Sequence, residues 1–309
     1  MIELQSTTKL YGAVIGVNDI TLSLEPGAYG LLGPNGSGKT TLLNMLTGQL
    51  RPTLGTVEVF GLNPWKYRDD VLRRIGYCPA RGVLHPEVSA YDWVRYLVEL
   101  HGFSHSEAGD RAEQSLGQVG LAGSMHREMG GYSRGMQQRV KLAQALAHDP
   151  EFLILDEPFS GLDPIGRHKM TEILHNWTRD GRSLLFASHI LHEVEAVSPS
   201  FMLICNGRLL ASGSAEEVQT LLADVPSQIR IRCDGANLLA KRLAGEEGVE
   251  ALRVREGELE VSTRSPSTIY DELPTWVEES GVRIAELESS NDSLQTLFDS
   301  LLRIHRGES

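Results

Sequence analysis

The sequence has few cysteines, no long hydrophobic run and too few basic residues to balance its acidic ones. Only 3 of its 309 residues are cysteine, and no metal-binding spacing links Cys78, Cys205 and Cys233. We therefore expect reduced thiols rather than a disulfide framework. Lysine and arginine number 29 against 41 aspartate and glutamate, a net charge of −12. This acidity argues against a protein that binds nucleic acid or an anionic membrane surface, because such proteins carry a basic face.

The apolar runs are also too short to cross a membrane. The segment 183–191 is among the longest, and it falls well below the roughly 20 residues that a spanning helix needs. The first residues lack the basic-then-apolar layout of a signal peptide. We expect a soluble chain, so that any work at a membrane requires a separate spanning protein. Hydrophobic residues make up 41% of the chain, enough for one large and one small packed domain.

Short apolar strands alternate with helical patterns through the first two thirds of the chain. Strands are predicted at 28–33, 56–61, 151–158 and 183–188, and helices at 40–48 and 136–147. Such alternation is typical of an α/β fold with a buried parallel sheet. Between about 86 and 148 the pattern becomes helical. There we expect Trp93, Tyr96, Leu97 and Leu100 to share one helix face.

The composition changes near Pro226, where we expect a linker. We place a first domain at 1–224 and an accessory domain at 225–309. The order strand–helix–strand–strand–helix–strand is predicted over 229–287, followed by a last helix at 292–305. This order is typical of a small ferredoxin-like α+β module.

A phosphate-binding signature, G-x-x-x-x-G-K-[ST], occurs at residues 33–40 as GPNGSGKT, between a predicted strand and a predicted helix. Gly36 and Gly38 allow the backbone N–H groups to turn toward phosphate oxygens. Lys39 supplies a charge for the β- and γ-phosphates, and Thr40 offers a hydroxyl to Mg²⁺. A glycine-rich turn without a ligand is the weaker alternative.

The segment FLILDEP, residues 152–158, is an apolar strand that ends in two carboxylates. A buried parallel strand delivers its last residues to the crevice where ligands bind. Asp156 is thus suited to hold Mg²⁺, and Glu157 to deprotonate an attacking water. A helix cap or a solvated surface pair is the alternative. The apolar run before Asp156 favours the site, and with it hydrolysis of the nucleotide rather than binding alone.

His189 follows the strand at 183–188 and could donate a hydrogen bond to a γ-phosphate. A histidine in this place is more often structural. His189 and His192, three positions apart and beside Glu193, raise the alternative of a zinc pair. The absence of the H-E-x-x-H spacing disfavours it.

These motifs, with YSRGM at 132–136 and SGLDP at 160–164, resemble an ABC transporter ATPase over residues 1 to about 222. The resemblance implies a P-loop ATPase with a mixed sheet and a helical subdomain. It implies ATP and Mg²⁺ as ligands, and a head-to-tail dimer with an identical or related ATPase subunit. It also implies a separate membrane permease at the cytoplasmic face of the cell membrane, with no nucleic-acid partner.

The resemblance further implies roles for individual residues. Tyr11 would stack on adenine beside Val17, and Asp163 would couple the two sites of the dimer. Glu157 matches the catalytic base and His189 the switch histidine. The nucleotide-binding loop would comprise Gly33, Pro34, Asn35, Gly36, Ser37, Gly38, Lys39, Thr40 and Thr41. The signature segment that meets the partner's ATP would be Ser133, Arg134, Gly135 and Met136.

The signature segment departs from the usual L-S-G-G-Q. Ser133 and Gly135 are retained, whereas Tyr132, Arg134 and Met136 replace the leucine, the first glycine and the glutamine. The retained serine, glycine amide and helix N-terminus are the groups that contact a phosphate. Arg134 adds a charge that could pair with phosphate or with the partner subunit.

A second departure is Ala80, which stands where the family generally has a glutamine. Alanine cannot form the side-chain hydrogen bond to water or Mg²⁺, so we expect slower hydrolysis, or sensing of Mg²⁺ by another group. The segment from Arg81 to Trp93 would remain the groove for a membrane partner, although core packing explains Trp93 equally well.

The single ATPase domain and the C-terminal extension resemble bacterial export-type subunits. The S-L-x-x-x-F pattern within 290–303 supports this. A non-transport ABC protein is the rival hypothesis. Translation factors carry two ATPase domains and tend to be basic, and repair ATPases contain a long coiled coil, which this sequence lacks. A regulatory subunit with inactive sites is disfavoured because Lys39, Asp156, Glu157 and His189 are all present.

Overall fold

The computed structural model describes residues 1–82, 84–214, 226–246 and 248–289. The internal contacts divide the chain into two units, 1–215 and 216–309, whereas the sequence placed the division at 224/225. The helix predicted at 292–305 lies outside the described residues. Among the residues that are described, no helix combines the length and the apolar character needed to cross a bilayer.

The first unit contains nine described strands and seven described α-helices. The strands are β1 Ile2–Tyr11, β2 Val14–Leu24, β3 Ala28–Leu32, β4 Leu54–Val59, β5 Ile75–Cys78, β6 Phe152–Asp156, β7 Ser183–Ser188, β8 Ser200–Cys205 and β9 Arg208–Ser214. The helices are α1 Lys39–Leu46, α2 Arg68–Leu72, α3 Ala90–Leu100, α4 His105–Gln118, α5 Arg134–Leu146, α6 Pro164–Arg179 and α7 Leu191–Glu195.

The main sheet has the strand order β5-β6-β7-β3-β8-β9. Its pairs are parallel except for the antiparallel pair of β8 and β9. Every residue of β6 and β7 is buried, which explains why both strands are nearly continuous apolar runs. The predicted α/β fold with a buried parallel sheet is confirmed. The carboxyl ends of β3, β6 and β7 meet at one edge, where the predicted ligand residues follow them.

A second, antiparallel sheet in this unit has the order β2-β1-β4. Its inner face packs on α1 and on the main sheet in one hydrophobic cluster that includes Ile2, Leu4, Val57 and Leu43. The loop before α1 is thus held between two sheets.

The helical segment predicted between about 86 and 148 contains α3, α4 and α5. Ser104 and Glu107 form a reciprocal capping box at the start of α4, a helix that the sequence reading did not separate. The four residues predicted to share one face do lie on one side of α3, but that side is not the most buried one. The buried residues of this helix are Ala90, Val94 and Val98, whereas Tyr96 and Leu100 are exposed.

The second unit has the order β10 Ser227–Cys233, α8 Ala236–Leu243, β11 Val249–Arg255, β12 Glu258–Thr263, α9 Pro266–Ser280 and β13 Ile284–Ser289. The sheet order is β11-β12-β10-β13, with every pair antiparallel. One face packs on the two helices around Ile231, Leu259 and Trp276. This unit is the predicted small α+β domain, and its strand order supports the proposal of a ferredoxin-like module.

Candidate nucleotide-binding site

The loop between β3 and α1 has the backbone that the phosphate-binding signature predicts. Gly36 and Gly38 have φ angles of 79° and 108°, a region that glycine enters at little cost. A Cβ on Gly38 would lie 2.3 Å from the Gly16 carbonyl oxygen, so only glycine fits there. Within the loop Pro34, Asn35 and Gly36 are exposed, and Gly33, Ser37 and Lys39 are buried. The exposed residues 34–36 form the tip of the loop, which leads into the N-terminus of α1. A glycine-rich loop at a helix N-terminus presents backbone N–H groups that suit an anion.

Lys39 lies inside this loop, with a side chain that is only 6% exposed. Its Nζ donates to the Gly33 and Pro34 carbonyl oxygens at 2.6 and 3.2 Å. It also lies 3.4 Å from Glu157 Oε1, an ion pair without a hydrogen bond. The ammonium group therefore joins the loop to the end of β6.

Thr40 and Asp156 also meet at this edge. The Thr40 hydroxyl donates to Asp156 Oδ2 at 2.7 Å, across 116 positions of the sequence. Burial raises the pKa of Asp156, and the hydrogen bond from Thr40 opposes that change. The two residues predicted to hold Mg²⁺ are thus in direct contact.

Glu157 connects the loop to β7. Its Oε2 lies 2.9 Å from His189 Nδ1, while Oε1 faces Lys39. The structure therefore brings together the predicted base and the predicted switch histidine. Glu193, which lies beside the alternative zinc pair of His189 and His192, instead accepts hydrogen bonds from Arg167 and Ser188 at 2.6 Å each.

Three buried oxygens at this edge have no hydrogen-bond partner within the described part of the chain. They are Ser37 Oγ, Asp156 Oδ1 and Glu157 Oε1. A buried polar atom without a partner is costly and calls for an explanation. Oxygen atoms of carboxylate and hydroxyl groups are the ligands that Mg²⁺ prefers, so this donor set fits the predicted ion.

The signature segment begins α5. Ser133 is the N-cap, and its Oγ accepts a hydrogen bond from the Met136 N–H at 3.2 Å. Ser133 and Arg134 are exposed, and Gly135 and Met136 are half-buried. Tyr132 is instead buried, with its hydroxyl donating to the Ser124 carbonyl oxygen at 2.6 Å. The tyrosine that replaces the family's leucine therefore anchors the segment, while Ser133 and Arg134 after it face solvent.

Asp163 caps α6, and its Oδ1 accepts a hydrogen bond from the Gly166 N–H at 2.7 Å. The Gly161 backbone just before it lies against Arg134, because a Cβ on Gly161 would be 3.3 Å from the Arg134 Cβ. The structure thus brings the signature segment and the SGLDP segment into contact within one subunit.

The two residues predicted at the adenine have different surroundings. The Tyr11 ring is 46% exposed, and its hydroxyl lies 3.4 Å from Thr41 Oγ1 at the start of α1. Val17 is fully buried in the core between the sheets. Tyr11 and Val17 therefore differ in exposure, and their placement beside the adenine stays a prediction.

Sequence reasoning missed two buried polar residues of α5. Gln138 Nε2 donates to the Glu157 and Pro158 carbonyl oxygens at 3.3 and 3.0 Å. Lys141 Nζ donates to the Pro79 and Ala80 carbonyl oxygens at 3.0 and 2.9 Å. The sequence signal for this role was the presence of two polar residues within the apolar stripe of α5. Trp93, in the predicted docking segment, is half-buried and bonds to Gln144 of α5 at 2.9 Å.

Comparisons with known proteins agree with this geometry. A family model described as ABC transporter matches residues 17–160. An uncharacterised ABC transporter ATP-binding protein of Bacillus subtilis, YxlF, is 36% identical over 220 residues, covering 71% of this chain and 72% of its own. The linearmycin resistance ATP-binding protein LnrL of the same species is 28% identical over 305 residues, covering 97% and 98%.

Two further comparisons concern the direction of transport and the fold. An ATP-binding protein for import of Fe(3+) ions from Rhizobium etli, FbpC, is 37% identical over 254 residues, covering 80% of this chain and 70% of its own. A solved structure of an ATP-binding subunit of an ABC transporter has a TM-score of 0.66 at 27% identity, covering 72% of this chain and 93% of that one. The chain belongs to the ABC transporter family and is one of its ATP-binding, ATP-hydrolysing subunits.

Proposed function

We propose that this subunit binds ATP with Mg²⁺ in a head-to-tail dimer and drives export through a separate membrane permease at the cytoplasmic face of the membrane. The observation that carries the site is the meeting of Lys39, Thr40, Asp156, Glu157 and His189 at one edge of the sheet. Two carboxylate oxygens there, Asp156 Oδ1 and Glu157 Oε1, are buried without a hydrogen bond among the described residues.

Mg²⁺ would be held by Asp156 Oδ1 and by the Thr40 hydroxyl. That hydroxyl donates to Asp156 Oδ2 and keeps lone pairs for a cation. When bound, the ion would neutralise charge on the phosphates during hydrolysis.

Glu157 is the proposed general base for the attacking water. Its carboxylate lies between Lys39 and His189, both of which hold it at the end of β6. When ATP binds, the Lys39 ammonium would leave the Gly33 and Pro34 carbonyl oxygens and bind phosphate oxygens instead. Its flexible side chain allows that change. His189 orients Glu157 through Nδ1 and can offer its other ring nitrogen to the γ-phosphate.

The signature segment is the proposed contact to the partner subunit's ATP. Ser133, the Gly135 N–H and the N-terminus of α5 present donors and a partial positive charge at an exposed helix end. The cationic side chain of Arg134 and the half-buried Met136 flank them. Asp163 would couple the two sites by way of the contact between Gly161 and Arg134.

The export direction rests on the match with LnrL. That protein aligns over 97% of this chain and 98% of its own length, so it includes the second unit, and its described role is resistance to linearmycin. The iron-import protein aligns over 80% of this chain. We infer export from this full-length correspondence with a resistance protein, with the substrate chosen by the membrane subunit.

Glu157→Gln tests the catalytic proposal. The amide keeps the size of the side chain but cannot accept the proton, so we expect kcat for ATP hydrolysis to fall by at least about a hundredfold. The affinity for ATP, measured by equilibrium binding, should stay within about twofold of wild type. Glu172→Gln, an exposed change on α6, is the matched control and should leave both values unchanged. Near-normal turnover in the Glu157 variant would remove this residue from the base role.

The transport proposal is tested by expressing the chain with its membrane partner and purifying the complex in detergent. We expect an integral membrane protein in fixed stoichiometry, with ATPase activity that the Glu157→Gln change abolishes. Ribosomes or DNA as the stoichiometric partner would support the non-transport alternative instead.

A further inference from the structure

The helix α5 contributes two buried polar side chains that none of the roles above uses. Gln138 and Lys141 are 3% and 7% exposed. Gln138 donates to the backbone of the turn at Glu157 and Pro158. Lys141, one helical turn further, donates to the backbone of the loop at Pro79 and Ala80. The helix that begins with the signature segment is therefore bonded to two sides of the subunit's own catalytic edge.

The loop held by Lys141 leaves the sheet beside Asp156. It follows β5, which is parallel to β6 with Cys78 opposite Leu155, so the next residues of the two strands are Pro79 and Asp156. Ala80 has only a methyl side chain and can form no side-chain hydrogen bond. The Lys141 ammonium instead binds the backbone of this loop, donating to the carbonyl oxygens of two consecutive residues, Pro79 and Ala80.

Burial of Lys141 disfavours its charged form. It lowers the pKa of the ammonium group, and Cys78 and then Asp156 oppose that shift without reversing it. The Cys78 thiol beside it stays protonated, because burial raises its pKa to about 12. Gly82 leaves room for the lysine stem, since a Cβ there would lie 3.0 Å from Lys141 Cδ. An apolar residue of similar length would fill this space without the cost of burying a charge.

We propose that Lys141 is a positioning residue for ATP hydrolysis, which holds the loop 79–82 beside the active-site carboxylates and joins it to the helix that carries the signature segment. Lys141 acts on the backbone, where Ala80 offers no side chain to bind. Because Gln138 bonds the turn at Glu157, a shift of α5 reaches both the loop and the catalytic base. The inference rests on the proposed roles of Asp156 and Glu157.

Lys141→Met is the direct test, because methionine keeps the length of the stem and removes the charge and the donors. We expect kcat for ATP hydrolysis to fall about tenfold, with KM for ATP within about twofold of wild type. Amide hydrogen exchange should accelerate in the loop 79–82, while exchange in the helix α5 stays at the wild-type rate. Lys141→Arg retains charge and donors and should recover most of kcat.

Lys169→Met, an exposed lysine on α6, is the matched control and should change neither kcat nor loop exchange. Lys141→Gln is a second variant that keeps a hydrogen-bonding group in the buried position, so it is less prone to unfold. It should lower kcat and accelerate loop exchange less than Lys141→Met does. Wild-type kcat and loop exchange in folded Lys141→Met and Lys141→Gln variants would overturn the proposal. So would exchange that rises evenly across the unit, since that indicates a purely structural role.

The two proposals fail in different ways. If Glu157→Gln abolishes turnover and Lys141→Met does not affect it, only the positioning role is wrong. If Glu157→Gln hydrolyses ATP normally, the proposed catalytic site itself is wrong, whatever the Lys141 variants do.

Discussion

The proposed base has a strained backbone. Glu157 directly follows β6 with φ at 52°, a left-handed conformation that costs a non-glycine residue roughly 1–2 kcal/mol. Such strain persists only where the surroundings hold it in place, and here the side chain contacts Lys39 and His189 while the carbonyl accepts from Gln138. The backbone turns the carboxylate out of the sheet edge and toward the phosphate-binding loop.

His148 gives a pH-dependent prediction for the same unit. Burial, and then the charge of His101 stacked on it at 3.9 Å, lowers the pKa of His148 from 6.5 to about 4. Between pH 6.5 and about pH 4, the unfolded chain therefore binds a proton at His148 that the folded chain does not bind. Stability from this residue is complete above about pH 6.5 and is lost as the pH falls toward 4, by at most about 3 kcal/mol.

Urea unfolding of wild type and His148→Gln across pH 4 to 7 measures this effect. The glutamine variant should lose less free energy of unfolding over that range than wild type. His105→Gln, at an exposed histidine, should keep the wild-type slope. Equal slopes for wild type and the His148 variant would contradict the prediction.

Among the elements, the sheet of the second unit carries a regular charge pattern on the face away from its helices. Across the strand order β11-β12-β10-β13, the two directly paired rows are Arg253, Glu260, Arg230 and Glu288, and Arg255, Glu258, Arg232 and Glu286. Opposite charges alternate in each row, and ion pairs join neighbouring strands. Pairs of this kind fix strand register and keep an exposed sheet face polar.

Arg230→Glu should weaken this sheet, because it places a carboxylate between Glu260 and Glu288. We expect a loss of about 1 kcal/mol at low salt, which high salt reduces by screening. Amide exchange in β10 and β12 measures it locally. Arg230→Gln removes the attraction without adding repulsion and should show a smaller change. Charge reversal without faster exchange at low salt would show that the rows contribute nothing to stability.

At the scale of the whole molecule, the proposed head-to-tail dimer would complete each site with the signature segment of the second subunit. That segment lies at an exposed helix end. The subunit's own phosphate-binding loop lies instead between the two sheets. ATP bound on one subunit would therefore be covered by the other.

Gly135→Asp should prevent that association. A Cβ at this position makes only ordinary contacts, at 3.5 Å or more, and an aspartate in the first turn suits the helix dipole. Its charge would repel the partner's triphosphate. In the Glu157→Gln background with ATP, light scattering should show a dimer for the parent and a monomer for the double variant. Gly117→Asp, at an open position of α4, is the matched control and should leave the dimer intact. A dimer that still forms with Gly135→Asp would count against the signature contact.

The sequence by itself determined the class of fold and the chemistry of the phosphate-binding loop. An apolar run that ends in Asp156 and Glu157, and a glycine-rich loop that ends in Lys39 and Thr40, depend on local rules: a buried strand must be apolar, and only glycine tolerates the loop's backbone. The strands at 28–33, 151–158 and 183–188, the helix at 136–147 and the elements of the second unit from 229 to 287 follow from such patterns.

Only the tertiary structure decided which side chains face each other. The periodicity of α3 could not show that Val94 and Val98 rather than Tyr96 and Leu100 face the core, because both sets repeat at helical spacing. The burial of Val17 between two sheets likewise depends on how those sheets pack. The bond from Lys141 to the loop at Ala80 joins residues 61 positions apart. Contacts across such separations depend on how helices and sheets pack, which no local pattern encodes.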